Sequence, residues 1–164
     1  MHAVVVGVDG SEGATEALRF AVAEARRLGA RVRAVHVWHV PVGSFLGGVA
    51  PTEAETAAHR EAARALLARA VEPAARAAPD LVIEQTLRQS FTPASALVEE
   101  SQDAELLVVG SRGLTGLRET LLGSVSHACC QHAACPVVVV RGSTREHEEH
   151  PAGPAALPAH PGFR

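Results

Sequence analysis

The chain has 164 residues, of which 47% are hydrophobic and only 3% aromatic, and 15 basic against 18 acidic residues leave a formal net charge of −3. That length suits one domain with a core of Val, Leu and Ala, and no apolar run approaches the ~20 residues of a membrane span. No basic stripe marks a nucleic-acid partner, and the absence of Lys excludes P-loop lysine and Schiff-base chemistry.

The first apolar run, Ala3 to Val8, stops at Asp9, Gly10 and Ser11 and reads as a buried strand. It is too short for the apolar core of a secretory signal, so a cytoplasmic location is expected. Ser11 is placed to cap a helix. Ala14, Ala17, Leu18, Ala21, Ala25 and Leu28 then recur at helical spacing, and Gly29 follows where a C-cap belongs. Arg31 to Trp38 reads as a second strand. Pro41 to Pro51 holds three glycines and two prolines and reads as a loop. Glu53 to Ala78 predicts a long helix with an apolar stripe of Ala63, Leu66, Leu67, Ala70, Val71 and Ala74, ended by Pro79 and Asp80. Leu81 to Leu87 predicts a third strand. Thr92 and Pro93 predict an N-cap and first residue of a short helix running to about Gln102. Leu106 to Val109 predicts a fourth strand that ends on Gly110. Glu119 to Cys130 carries helical spacing through Leu122, Val125 and Cys129. Pro136 to Val140 predicts a fifth strand buried on both faces.

This alternation predicts a doubly wound α/β fold, a parallel sheet with helices on both faces. Such sheets bind ligands beyond the carboxyl ends of their strands, where strand order reverses. The domain is expected to span residues 1–141. Residues 142–164, rich in Pro, His and Glu and without a periodic apolar face, are expected to form a flexible tail.

The informative segment is Gly110-Ser111-Arg112-Gly113-Leu114-Thr115-Gly116, followed by Gly123-Ser124-Val125-Ser126. Glycines after a buried strand let a ligand approach the main chain, and successive N–H groups there make an anion nest. Gly123 and Ser124 begin or interrupt the next helix, whose free N–H groups, with the Ser124 and Ser126 hydroxyls, can hold a phosphate. Arg112 can add a charge-assisted contact. The plainer reading is that the glycines only shape a strand-to-helix turn. Spacing alone leaves both readings open.

The string resembles the universal stress protein family, in its ATP-binding branch. That pattern is Gly, two residues, Gly, nine residues, Gly, then Ser or Thr, met here by Gly110, Gly113, Gly123 and Ser124. Val6-Gly7-Val8-Asp9-Gly10-Ser11, Val35-His36-Val37, Leu106 to Gly110 and Cys135 to Val139 also match, so the resemblance covers about Ala3 to Arg141. It implies a five-stranded parallel sheet of order 3-2-1-4-5. It implies a site in which Asp9 and Val37 lie against adenine and Gly7 and Val8 line the same pocket. Val109, Gly110, Ser111, Arg112 and Gly113 would approach ribose and phosphates, and Gly123, Ser124, Val125 and Ser126 would bind phosphate oxygens. ATP, with Mg²⁺, is the implied ligand. A homodimer through the fifth strand, Pro136 to Val140, is the implied assembly, with a regulatory protein partner. The implied function is a nucleotide-responsive regulator in stress response. The alternative is an enzyme on the same fold, a slow ATPase or an adenylyl or phosphoryl transferase, for which the loops offer no evident catalytic groups.

His127, Cys129, Cys130, His132 and Cys135 imitate a metal cluster. They fall on a predicted helix, where neighbours two apart point away from each other. They are read as small core residues and surface His. Three cysteines so close together are no disulfide framework. Asp9 is read as a binding residue rather than a catalytic acid or base, and Trp38 as core or rim.

Overall fold

A computed structural model describes residues 2–40, 51–111 and 122–142. Its elements follow in chain order: β1 (Ala3–Gly7), α1 (Glu12–Leu28), β2 (Arg31–Trp38), α2 (Glu53–Ala77), β3 (Ile83–Gln89), α3 (Pro93–Glu100), β4 (Leu106–Gly110), α4 (Ser124–His132) and β5 (Val137–Val140). The five strands form one parallel sheet of order β3-β2-β1-β4-β5. The expected fold class and strand order are both present.

Side-chain alternation along the strands divides the core in two. Val4, Val6, Val8, Val32, Ala34, Leu106 and Val108 face α1 and α2, where Leu18, Ala21, Leu67 and Val71 meet them. Val5, Val35, Leu107 and Val109 face the other way, towards Leu97 of α3 and Cys129 of α4. β1 and β4 lie at the centre, and four of the five residues of each are buried. Sequestering a valine contributes about 1.5–3 kcal/mol, so these two strands anchor the sheet. Where α3 crosses β2, cover is partly ionic. Arg33 Nη1 donates to Glu100 Oε2 at 3.0 Å, and Arg88 reaches Glu99 at 2.7 Å.

Local signals held where backbone chemistry decides them. Ser11 Oγ accepts the Ala14 N–H at 3.1 Å, and Gly29 closes α1 in the left-handed region at φ 63°. Five points differ from the sequence reading. β3 begins and ends two residues later than Leu81 to Leu87, because its register is set by pairing with β2, from Val32↔Ile83 to Trp38↔Gln89. Thr92 occupies the N-cap of α3 without a side-chain cap bond; instead its N–H donates to Ser90 Oγ at 3.1 Å. α4 begins at Ser124, since Gly123 takes the extended N-cap conformation, φ −70° and ψ 162°, and the earlier part of the helical reading, Glu119 to Leu121, lies outside the described residues. Leu122 therefore precedes the helix. β5 is half-buried along its length rather than sealed on both faces, as an edge strand. Leu28, expected on the buried stripe of α1, is 42% exposed, and Val22 packs inward instead. The loop reading for Pro41 to Pro51 falls, apart from Pro51, outside the described residues, as does the tail beyond Gly142.

Candidate functional site

β1 and β4 are sheet neighbours whose chains continue to opposite faces, into α1 and into α4. Their carboxyl ends therefore flank the point where strand order reverses, where such sheets leave a crevice. Most of the expected site residues that lie in the described segments are at this end of the sheet.

On the β1 side, Val8 is buried and extends the pairing through its N–H to the Val35 carbonyl at 2.8 Å. Asp9 and Ser11 close a compact turn, with the Ser11 N–H donating to Asp9 Oδ1 at 2.9 Å. Gly10 sits in that turn at φ 85°, which an L side chain rarely adopts. Gly7 lies under α3; a Cβ there would come 3.0 Å from Leu97 Cδ1. Val37 packs at the margin of the cluster that contains Val109, alongside Val125 of α4.

On the β4 side, Gly110 is pressed against the start of α1. A Cβ there would lie 2.9 Å from the Gly13 carbonyl carbon, a backbone atom that cannot swing aside. Ser111 is buried, and its N–H donates to the Val140 carbonyl at 2.7 Å. Its own carbonyl accepts the Gly123 N–H at 2.8 Å. The two ends of the expected ligand loop are thus joined by a main-chain bond, which brings the start of α4 to the end of β4. Arg112 and Gly113 lie outside the described residues.

At the start of α4, Gly123 is the N-cap and no side chain caps it. First-turn N–H groups of a helix have no intrahelical acceptor and carry the positive end of its dipole, so they suit an anion. Ser124 is exposed there and Val125 half-buried. Ser126 differs: it is 2% exposed, and its hydroxyl donates to the Gly123 carbonyl at 2.9 Å. That bond steadies the turn and leaves only the lone pairs of the hydroxyl for other partners.

Among the described residues, no three His, Cys, Asp or Glu side chains converge to hold a metal ion. Cys129 is fully buried, and burial, with Cys130 beside it, pushes its thiol up to about 11. Cys130 is exposed, and burial also raises Cys135. Three participants escaped sequence reading: Leu97, Gly13 and His36, whose ring bonds the Val8 carbonyl. None carries a local signal, because each acts on a residue distant in sequence.

A parallel sheet covered by helices on both faces defines a doubly wound α/β protein. The chain belongs to the universal stress protein family, whose family model matches residues 1–141. It is 39% identical over 138 residues to a universal stress protein of Mycolicibacterium smegmatis, an alignment covering 84% of this chain and 45% of that protein. The chain thus spans about half the length of the mycobacterial relatives it matches. It is 33% identical to universal stress protein YxiE of Bacillus subtilis, covering 84% of this chain and 97% of that one. Among solved structures, a universal stress protein in complex with cAMP superposes with a TM-score of 0.65 at 27% identity, covering 87% of this chain and 98% of that one. No helix among the described residues is long and apolar enough to cross a membrane.

Proposed function

We propose that the protein binds ATP with Mg²⁺ in the crevice between the carboxyl ends of β1 and β4, and acts as a nucleotide-responsive regulator in stress response. Asp9, Val37, Gly7 and Val8 form the base side of this site. Val109, Gly110, Ser111, Arg112 and Gly113 approach the ribose and phosphates. Gly123, Ser124, Val125 and Ser126 receive the phosphate oxygens. One observation carries the reading: the Ser111–Gly123 bond sets an uncapped helix start against the end of β4. The 27% identical relative that holds cAMP supports an adenine nucleotide as the ligand class.

Mg²⁺ fits the arrangement without a protein cage, since this ion keeps several waters and is held chiefly by phosphates and one or two carboxylates. It would neutralise phosphate charge, held by the phosphate oxygens and water. The bound nucleotide would order the surface around residues 110–124 that a regulatory protein partner reads. The assembly in this reading is a cytoplasmic homodimer paired through β5, which covers an otherwise open edge.

Gly123 tests the site cleanly. Its φ and ψ are available to every residue, so a side chain there does not strain the backbone. Gly123→Val places branched carbon where phosphate oxygens would sit. Calorimetric titration with ATP and Mg²⁺ is expected to show binding to the parent chain. In the variant, the affinity is expected to be at least about tenfold weaker, the scale of one charge-assisted hydrogen bond, with the fold retained and stability lowered only by the poorer N-cap, about 1 kcal/mol. Equal affinity in the two proteins would remove α4 from the site.

A further inference from the structure

His36 lies in β2, half-buried, with its Nδ1 2.7 Å from the carbonyl oxygen of Val8. A carbonyl only accepts, so Nδ1 carries the proton and donates it. The register of β1 with β2 ends one residue earlier, at Gly7↔Val35. Beyond that point β2 holds Val8 twice. Its main chain takes the Val8 N–H through the Val35 carbonyl at 2.8 Å, and its His36 side chain takes the Val8 carbonyl.

The held carbonyl belongs to the peptide that leads into Asp9. In a trans peptide the carbonyl and the following N–H point in opposite directions, and none of the described peptide bonds is cis. Fixing the Val8 carbonyl on the ring therefore turns the Asp9 N–H away from it and sets the direction in which Asp9 leaves the sheet. The next residues allow little slack. Gly10 is held at φ 85°, and the Ser11 N–H is bonded to Asp9 Oδ1 at 2.9 Å. A rotation of the Val8–Asp9 peptide would reach both. An aliphatic residue would meet the needs of a strand; the imidazole adds a donor at the step where main-chain pairing has run out.

We infer that His36 is a positioning residue: its ring N–H fixes the Val8 carbonyl and thereby presents Asp9 to the nucleotide base. This rests on the nucleotide site proposed above. The test compares the full chain with His36→Leu, which removes the donor, and His36→Asn, whose amide nitrogen stands the same number of bonds from the backbone as Nδ1. Titration with ATP and Mg²⁺ is expected to show affinity about tenfold weaker in His36→Leu and within about threefold of the parent in His36→Asn, the range of one hydrogen bond. Equal affinity losses in the two variants would overturn the inference. Should the parent chain bind no ATP, the site reading fails, and two nucleotide-free measurements decide the inference. Nitrogen NMR of the parent should show the Nδ1–H tautomer. Hydrogen exchange at the Ser11 amide should quicken in His36→Leu and return towards the parent rate in His36→Asn. An Nε2–H tautomer, or Ser11 exchange unmoved in His36→Leu, would overturn it.

Discussion

Gly110 and Gly29 are glycines for unlike reasons, and the difference is measurable. At Gly29 an added Cβ meets nothing within 4 Å, and only the backbone angle, φ 63°, favours glycine. Gly29→Ala should therefore cost about 1–2 kcal/mol, the penalty of the left-handed region for an L side chain. Gly110 has no such angle, but a Cβ there would lie 2.9 Å from the Gly13 carbonyl carbon and 3.0 Å from its oxygen. Gly110→Ala must push α1 away from β4 and should cost about 1–3 kcal/mol by overpacking. Urea unfolding checks both. The glycine spacing was legible in the sequence. That Gly110 packs against α1 was not, since Gly13 lies almost a hundred residues away along the chain.

α2 carries a local start signal and was read at its observed start, whereas β3, whose register comes from a partner strand, was not. α2 starts with a full capping box: Thr52 Oγ1 accepts the Glu55 N–H at 3.2 Å, and Glu55 Oε2 accepts the Thr52 N–H at 2.8 Å. Thr52→Ala should lower stability by about 1 kcal/mol at neutral pH. The Glu55 share of the box is pH-dependent. Bonds from the Thr52 backbone and hydroxyl hold its carboxyl below the ordinary 4.5. A depressed native pKa adds stability that is complete above the unfolded value and is lost as pH falls through the native one. The destabilisation caused by Thr52→Ala should therefore shrink as the medium is acidified below about 4.5, and chemical denaturation at a series of pH values checks it. A Thr52→Ala penalty that stays constant into acid would contradict the bond from the Thr52 hydroxyl to Glu55 Oε2. β3, by contrast, has no such internal marker. Leu81 and Ile83 alternate plausibly from either start, and only the ladder with β2 decides that Ile83 begins the strand.

For the whole molecule, assembly in the proposed reading turns on β5. The Leu107 N–H donates to the Pro136 carbonyl at 3.0 Å, and the Ser111 N–H to the Val140 carbonyl at 2.7 Å. Backbone groups alternate in direction along a strand, so Pro136, Val138 and Val140 face β4 while Val137 and Val139 face outward. Val139→Pro removes an outward N–H and leaves the inner ladder intact, as proline permits at an edge. If two copies pair through β5, sedimentation should show a dimer in the parent and a monomer in this variant, with circular dichroism preserved. A dimer that persists would place the interface elsewhere. The sequence by itself determined the alternation of elements, their capping residues and the spaced glycine motif, because these follow from local periodicity and backbone chemistry. Only the tertiary structure decided where β3 and α4 begin, which glycines answer to packing, and that His36 reaches the Val8 carbonyl. Those outcomes depend on which distant segments the sheet sets side by side, and no local pattern of residues carries that geometry.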